Sequence, residues 1–291
     1  MSDTSLYRDA VQPDGLRLTT DVIDFRFRCT RRMTQISRCY AADGPGQIDT
    51  IAFIHGLGGS RDDYPMLADD WARYGYLVLR PDMLDSPYCE GTDSKDQWED
   101  RMRETVELAE RVTELLPEGL TLGAFGLGGH SDGARSVLGA LGLGLRTGKR
   151  YTTQAARAGL LLSPPGRDNT MSESPFEGIV APIYSITGSR DVGEVEDEIQ
   201  PATWRTECAH TVRDTTSVLS VYQDGDHGHG FPFGNNGRTD ADQQLVVRDQ
   251  CLAWWDWWLR GSETAAMWTA SGLWEHNGAP FDEYHCNGIH T

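Results

Sequence analysis

The sequence lacks the features that would place this chain in a membrane or mark it for export. No apolar run approaches the roughly 18 residues that a membrane-spanning helix requires, so we expect no membrane span. Residues 1–6 lack a basic stretch followed by an apolar one, so no secretory signal peptide is visible. We therefore expect a cytoplasmic protein, or a secreted one if a leader has been removed from this sequence.

Positive charge and metal-binding cysteine motifs are also scarce. Lysine and arginine total 26 against 44 aspartates and glutamates, which gives a formal net charge of −18. A field of this sign repels nucleic acids and anionic membranes, so neither is an expected partner. The six cysteines are scattered and form no C-x-x-C pair, which argues against a cysteine-based metal site. Free thiols are the default expectation, and an extracellular disulfide or two stays open.

Short apolar runs alternate with helical patterns along most of the chain. This alternation predicts an α/β architecture, with a mainly parallel sheet flanked by helices on both faces. We expect a single domain over residues 1–291, with a loose lead-in at 1–15 and an irregular tail at 271–291. Antiparallel edge strands are predicted within 16–40, and buried strands at 50–54, 76–79, 120–128, 158–162, 182–186 and 218–222. Helices are predicted at 61–74, 97–116, 131–145, 243–260 and 262–270.

The segment Gly129-His130-Ser131-Asp132-Gly133 joins a strand-like apolar run to helix-forming sequence. It matches G-x-S-x-G, in which the serine occupies a sharp strand-to-helix turn between small residues. Such a turn exposes the hydroxyl of Ser131 and aims helical N–H groups at the atom it attacks, so Ser131 is the predicted nucleophile. A dinucleotide-binding loop starting at Gly126 is a poor alternative, because its third glycine would stand where Ser131 does.

Two later loops supply the partners that a serine nucleophile needs. Asp191 follows the strand predicted at 182–186, and His227 follows the one at 218–222. Loops at the carboxyl ends of parallel strands meet at one edge of the sheet. Because a histidine takes the serine proton and a carboxylate orients the histidine, Ser131, His227 and Asp191 are the predicted catalytic triad. Their order along the chain is that of the α/β-hydrolase triad.

Alternatives exist for the acid and for the base. Asp191 could merely close a turn, and Glu194 and Glu196 are then the fallback acids. His229 competes with His227 as the base, although His227 lies nearer the end of the strand. An H-x-H pair is only a weak metal signal, so we expect no metal. The residues of that metal alternative are His227, His229, Asp224 and Asp226.

An oxyanion hole requires two backbone N–H groups. The residue after the nucleophile, Asp132, supplies one, and Leu57 in the glycine-rich segment 55–59 is the best-placed second donor. A carboxylate beside a developing oxyanion is unfavourable, so the side chain of Asp132 is expected to point outward, stabilised by the helix dipole. His55 and His130 are expected to support the two loops rather than to act as bases.

With these motifs the chain resembles the serine α/β-hydrolases. Within them it is similar to esterases related to dienelactone hydrolase and platelet-activating-factor acetylhydrolase, a group that includes polyester-cleaving enzymes. The resemblance implies an α/β-hydrolase fold without a large cap domain, and hydrolysis of carboxylic esters through an acyl-enzyme, with no cofactor. Dienelactone hydrolases use a cysteine nucleophile, so Ser131 departs from them and favours esters. The matching segments are HGLGGS (55–60), GHSDGA (129–134), LSPPG (162–166), TGSRD (187–191), GDH (225–227) and WWDWWLRG (254–261).

The stretch 166–181 is too short for a helical cap, which predicts an open cleft for short or surface-bound acyl groups. Tyr64, Tyr88 and Trp204 are the candidates for contacting a small or polymeric ester there. The tryptophans of 254–258 are expected to lie in the core. Two other functions stay open: an amide or peptide hydrolase with the same triad, and a non-catalytic binding protein on the hydrolase scaffold.

Overall fold

The computed structural model describes Tyr7 and residues 17–41, 46–89, 97–229, 240–271 and 281–287. The strands are β1 (Thr19–Arg26), β2 (Met33–Tyr40), β3 (Gly46–Ile54), β4 (Tyr76–Pro81), β5 (Leu120–His130), β6 (Leu141–Gly144), β7 (Arg150–Thr152), β8 (Gly159–Leu162), β9 (Ile183–Gly188), β10 (Gly193–Val195), β11 (Glu198–Gln200), β12 (Ser217–Tyr222) and β13 (Phe281–Asn287). The helices are α1 (Pro65–Arg73), α2 (Gln97–Glu110), α3 (Asp132–Ala140), α4 (Glu207–Thr211), α5 (Ala241–Arg260) and α6 (Glu263–Ser271), with 3₁₀ turns at Val112–Leu115 and Ala202–Thr206.

Nine strands pair into one sheet in the order β1-β2-β4-β3-β5-β8-β9-β12-β13. The six central strands run parallel to their neighbours, whereas β1, β2 and β13 are antiparallel at the two edges. The predicted α/β architecture with a large, mostly parallel sheet is therefore confirmed. Within the described ranges, no helix is both long and apolar enough to cross a membrane.

Helices cover both faces of the sheet because its central strands are apolar on both sides. On β3, Ile51 and Phe53 belong to one core cluster, which includes Trp255 of α5. The alternate residues Ala52 and Ile54 belong to a second cluster, which is formed with residues of α2 and α3. Successive strand residues point to opposite faces, so the two clusters are the two sides of one sheet. Trp254 and Trp255 of α5 thus lie in the core, as predicted, whereas Trp257 and Trp258 are half-buried.

Three predicted helices are shorter than expected, and the one predicted at 61–74 spans only Pro65–Arg73. The helix predicted from 131 to 145 ends at Ala140, and β6 follows it and pairs with β7. Gly142 has a φ of 113°, which no α-helical residue adopts, so the chain must leave the helix here. The helix predicted over 97–116 ends at Glu110 and is followed by the 3₁₀ turn Val112–Leu115.

Described residues near both ends of the chain depart from the predictions. Within the tail predicted to be irregular at 271–291, residues 281–287 instead form β13, which pairs with β12, with Cys286 opposite Val218. Strand formation at a sheet edge depends on the neighbouring strand, which a local pattern does not reveal. In the predicted loose lead-in at 1–15, Tyr7 is buried and its hydroxyl donates to Oδ2 of Asp256 at 2.7 Å. The other residues of that lead-in lie outside the described part of the chain.

Candidate active site

Ser131 occupies the turn between β5 and α3. Its φ of 54° and ψ of −119° lie in a region that non-glycine residues rarely adopt. Its N–H donates to the carbonyl of Leu162 at 2.9 Å, and its carbonyl accepts from the N–H of Arg135 at 3.0 Å. A Cβ at Gly129 would lie 2.5 Å from the carbonyl carbon of Gly133. The strained turn therefore requires small flanking residues, as the motif predicts.

His227 and Asp191 form a hydrogen-bonded pair beyond the carboxyl ends of β12 and β9. Nδ1 of His227 lies 2.8 Å from Oδ1 of Asp191. The carboxylate is fully buried, whereas 43% of the His227 side chain is exposed. A buried carboxylate thus orients an accessible imidazole, which is the arrangement that a general base requires.

Three further side chains contact the carboxylate of Asp191. The hydroxyl of Thr187 donates to Oδ2 at 2.8 Å, the hydroxyl of Ser163 donates to the same oxygen, and Nε of Arg205 lies 2.6 Å from Oδ1. Burial alone would raise the pKa of Asp191. The hydrogen bond from His227 and the charge of Arg205 outweigh burial and hold that pKa well below its ordinary value.

His227 lies against the residue that precedes Ser131, and no hydrogen bond joins the side chains of Ser131 and His227 among the described residues. The imidazole of His130, the residue before Ser131, has its ring centroid 4.5 Å from that of His227. Among the described contacts, Oγ of Ser131 donates to neither ring nitrogen of His227. Catalytic hydrogen bonds are often long in unliganded enzymes and tighten when substrate binds. The structure therefore places the residue before Ser131 against His227, with no described hydrogen bond between the predicted nucleophile and the predicted base.

The alternative acids are not placed to act on His227. Glu194 and Glu196 are exposed, and Oε1 of Glu196 accepts a hydrogen bond from Nδ2 of Asn169. Within the described residues, the carboxylate that contacts His227 is that of Asp191. This favours Asp191 over both fallback acids.

The alternative base is also in a different environment. His229 is fully buried, and its Nε2 lies 2.7 Å from Oγ of Ser163. Burial lowers the pKa of His229 to about 4. His227 rather than His229 therefore has both the carboxylate partner and the exposure. In the part of the chain that the structure describes, no group of three or more His, Cys, Asp or Glu side chains is arranged to hold a metal ion.

The two predicted oxyanion donors, Leu57 and Asp132, line one cavity of about 230 Å³ that opens to solvent. Neither N–H makes a hydrogen bond within the described residues, whereas the N–H of Gly58 donates to Oδ2 of Asp85 at 2.8 Å. Two N–H groups without a described partner, in residues that line one cavity, are compatible with an oxyanion hole. The outward direction of the Asp132 carboxylate stays a prediction.

Tyr64 was predicted to line the substrate cleft, but it is buried beneath the site. Its hydroxyl accepts from the N–H of Gly56 at 3.2 Å and lies 2.9 Å from Nδ1 of His130. Nε2 of His130 lies 2.8 Å from the carbonyl oxygen of His227, so Nε2 donates and Nδ1 accepts from Tyr64. This chain of hydrogen bonds joins the loop 55–59, the nucleophile turn and the His227 loop. The supporting role predicted for His130 fits this placement.

The other two predicted substrate contacts lie outside the cavity next to Leu57. Tyr88 is exposed; its hydroxyl donates to Oδ2 of Asp62 at 2.7 Å, and the guanidinium of Arg61 lies 4.3 Å from its ring centroid. Trp204 is half-buried, and its Nε1 donates to the carbonyl of Arg167 at 2.9 Å. Contact with substrate stays a prediction for both.

Several residues of the site were not predicted from the sequence. Ser163 lies in the LSPPG segment after β8, and its position at a strand end is a signal that could have pointed to it. Arg205 lies in a polar segment that offers no such signal. The cavity residues beyond the two donors also come from helix starts and loops: Asp85, Gln97, Trp98, Arg101, Arg135 and Ser136.

No protein-family model matches the chain, and no curated protein is significantly similar to it in sequence. The geometry of the site is therefore the basis for assigning a function.

Proposed function

We propose that this protein is a serine hydrolase of the α/β-hydrolase fold that cleaves carboxylic esters through an acyl-enzyme. The observation that carries the proposal is the pairing of His227 with buried Asp191 beside the strained turn at Ser131. The positions of these residues after β12, β9 and β5 support it, because they follow the order and the sheet edge of α/β-hydrolase sites.

Each side chain has a defined part in the proposed reaction. Oγ of Ser131 attacks the ester carbonyl while His227 takes its proton, and Asp191 stabilises the imidazolium that forms. The N–H groups of Leu57 and Asp132 hold the oxyanion in the adjoining cavity. His227 then protonates the departing alcohol, and a water molecule activated by the same histidine releases the acid from Ser131.

The connection between β8 and β9 supports an ester that is short or bound at the surface. This connection contains no helix, so no helical cap covers the site from it. The cavity beside Leu57 gives one substituent of the ester a place next to the oxyanion donors. Its ion-paired arginines, Arg101 and Arg135, give it a polar wall.

The test is hydrolysis of a short chromogenic ester by the wild-type protein and by Ser131→Ala. We expect the substitution to lower kcat by a factor on the order of 10⁴ or more, as loss of a catalytic nucleophile does in other serine hydrolases. His210→Gln, which changes an exposed histidine paired with Glu283, serves as the control and should keep the wild-type rate.

Covalent labelling separates the proposal from its rivals. A fluorophosphonate should attach one phosphonyl group to the wild-type protein, at Ser131, and none to Ser131→Ala. Mass spectrometry of the intact protein measures this. Equal ester turnover in the wild type and in Ser131→Ala would overturn the proposal. Absence of both turnover and labelling would favour a binding protein, and faster cleavage of an anilide than of the matching ester would favour an amidase.

A further inference from the structure

A second histidine reaches the Asp191 carboxylate through a serine. His229 is fully buried, with its Nε2 2.7 Å from Oγ of Ser163. The hydroxyl of Ser163 in turn donates to Oδ2 of Asp191, while His227 contacts Oδ1. The carboxylate is therefore held by one imidazole directly and by another through a hydroxyl. We call the hydrogen-bonded pair of Ser163 and His229 the Ser163–His229 link.

The direction of each hydrogen bond in this link is fixed. An ionised carboxylate only accepts, so Ser163 gives its one hydroxyl hydrogen to Asp191. Oγ of Ser163 then accepts from His229, which must carry its hydrogen on Nε2. Nδ1 of His229 is buried and has no hydrogen-bond partner within the described residues. Burial lowers the pKa of His229 to about 4, so the ring is neutral near neutral pH.

The backbone at both members of the link is unusual. Ser163 has a φ of 50° and His229 a φ of 53°, values that few non-glycine residues adopt. These two conformations, and the ring nitrogen that has no partner among the described residues, all oppose stability, and they coincide where the two side chains meet. Retained strain and unpaired buried polar groups concentrate at functional sites.

We propose that His229 is a positioning residue for the reaction assigned above, acting through Ser163 on Asp191. Its N–H directs the Ser163 hydroxyl onto Oδ2, which keeps Oδ1 turned toward His227. This inference rests on the proposed hydrolase function. The link holds the carboxylate in one orientation whether or not His227 carries the serine proton. The imidazole of His227 therefore keeps its orientation during the reaction.

Other contacts limit how much the link can contribute. Thr187 also donates to Oδ2, and Arg205 contacts Oδ1. Loss of the link is therefore expected to slow the reaction and not to abolish it. Loss of a hydrogen bond to a charged group corresponds to a decrease in kcat of roughly 10- to 100-fold.

The test compares kcat and KM for Ser163→Ala, His229→Leu and the double variant. We expect each single variant to lose roughly 10- to 100-fold in kcat with little change in KM. The double variant should be no slower than the slower single variant, because both substitutions break one link. His229→Gln keeps an amide N–H near the position of Nε2 and should recover most of kcat.

The matched control is Ser185→Ala. Ser185 is another fully buried serine, on β9, whose hydroxyl has no partner among the described residues. This substitution should leave kcat unchanged. Thermal melts confirm that each variant is folded, and titration with a fluorophosphonate counts the competent sites.

A second measurement does not depend on turnover. The Nδ1 hydrogen of His227, bonded to Asp191, is expected to give a low-field proton NMR signal, which should move upfield in Ser163→Ala and His229→Leu but not in Ser185→Ala. Wild-type kcat in both folded variants, multiplied losses in the double variant, or an unmoved signal would overturn the inference. Turnover that does not depend on Ser131 would overturn the proposed function instead, and the NMR comparison would still decide whether the link positions Asp191.

Discussion

Arg205 and His227 contact the same carboxylate oxygen of Asp191. Nε of Arg205 lies 2.6 Å from Oδ1, and Nδ1 of His227 lies 2.8 Å from it. Arg205 is itself buried, and it also donates to the carbonyls of Ser163 at 2.8 Å and Val192 at 3.2 Å. A buried cation with most of its N–H groups paired makes the buried charge of Asp191 tolerable in the folded protein.

We expect Arg205→Met to destabilise the protein strongly. The substitution leaves the carboxylate of Asp191 buried without its cation, and breaking a buried ion pair in this way costs about 3–5 kcal/mol. The free energy of unfolding in urea, measured for the wild type and the variant at neutral pH, checks this.

Two controls identify the unpaired charge as the cause. Arg190→Met breaks a pair in which both Arg190 and Asp224 are exposed, with Nη2 2.5 Å from Oδ1, and should cost at most about 1 kcal/mol. The double variant Asp191→Asn with Arg205→Met removes both charges and should regain much of the lost stability. Equal losses in Arg205→Met and Arg190→Met would contradict the explanation.

The sequence predicted the parts of the site that depend on strand order. Because the carboxyl ends of parallel strands share one edge, loops following separate strands could be expected to meet. Asp191 and His227 are far apart in the chain and are hydrogen-bonded in the fold. The turn at Ser131 was predictable because its small neighbours are a local requirement.

The placements that the sequence did not predict depend on packing between distant elements. Tyr64 adjoins the glycine-rich loop, and an aromatic ring above such a loop has the same local pattern as one buried beneath it. Ser163 and Arg205 act through side-chain contacts to Asp191, which no spacing encodes. The strand β13 forms because β12 offers it an unpaired edge.

The buried state of His229 predicts a stability that depends on pH. Burial lowers its pKa in the folded protein to about 4, against an ordinary value of about 6.5. Between these values the unfolded chain binds a proton here and the folded protein does not. Above about pH 6.5 the ring is neutral in both states and the free energy of unfolding does not depend on it. As the pH falls from 6.5 toward 4, the free energy of unfolding decreases by up to about 1.4 kcal/mol per pH unit.

Urea unfolding between pH 4 and pH 7 measures this dependence. His229→Gln removes the titrating group, so its free energy of unfolding should vary less steeply with pH than that of the wild type. His210→Gln changes an exposed histidine and should keep the wild-type slope. If the slope were unchanged in His229→Gln, the neutral buried state of this ring would be contradicted.

No disulfide joins the six cysteines, all of which lie in the described part of the chain, and three of them are buried. Burial raises the pKa of the Cys208 thiol well above its ordinary range, and it raises that of Cys29 to about 12. A thiol reagent should therefore modify six groups in denaturant without prior reduction and react slowly with the native protein near pH 8. Reducing agent should leave Tm unchanged. A count below six in denaturant would show a disulfide.

Tyr64→Phe tests the hydrogen bonds beneath the site. The substitution leaves the N–H of Gly56 and Nδ1 of His130 without the Tyr64 hydroxyl, so we expect a loss of about 1–3 kcal/mol in stability. It should also lower kcat/KM for ester hydrolysis, because Gly56 adjoins Leu57, the proposed oxyanion donor. Tyr184→Phe removes another buried hydroxyl, which lies 2.8 Å from Oγ of Ser220, and should lower stability while keeping kcat/KM. Equal activity of the two folded variants would show that the Tyr64 hydroxyl supports the fold alone.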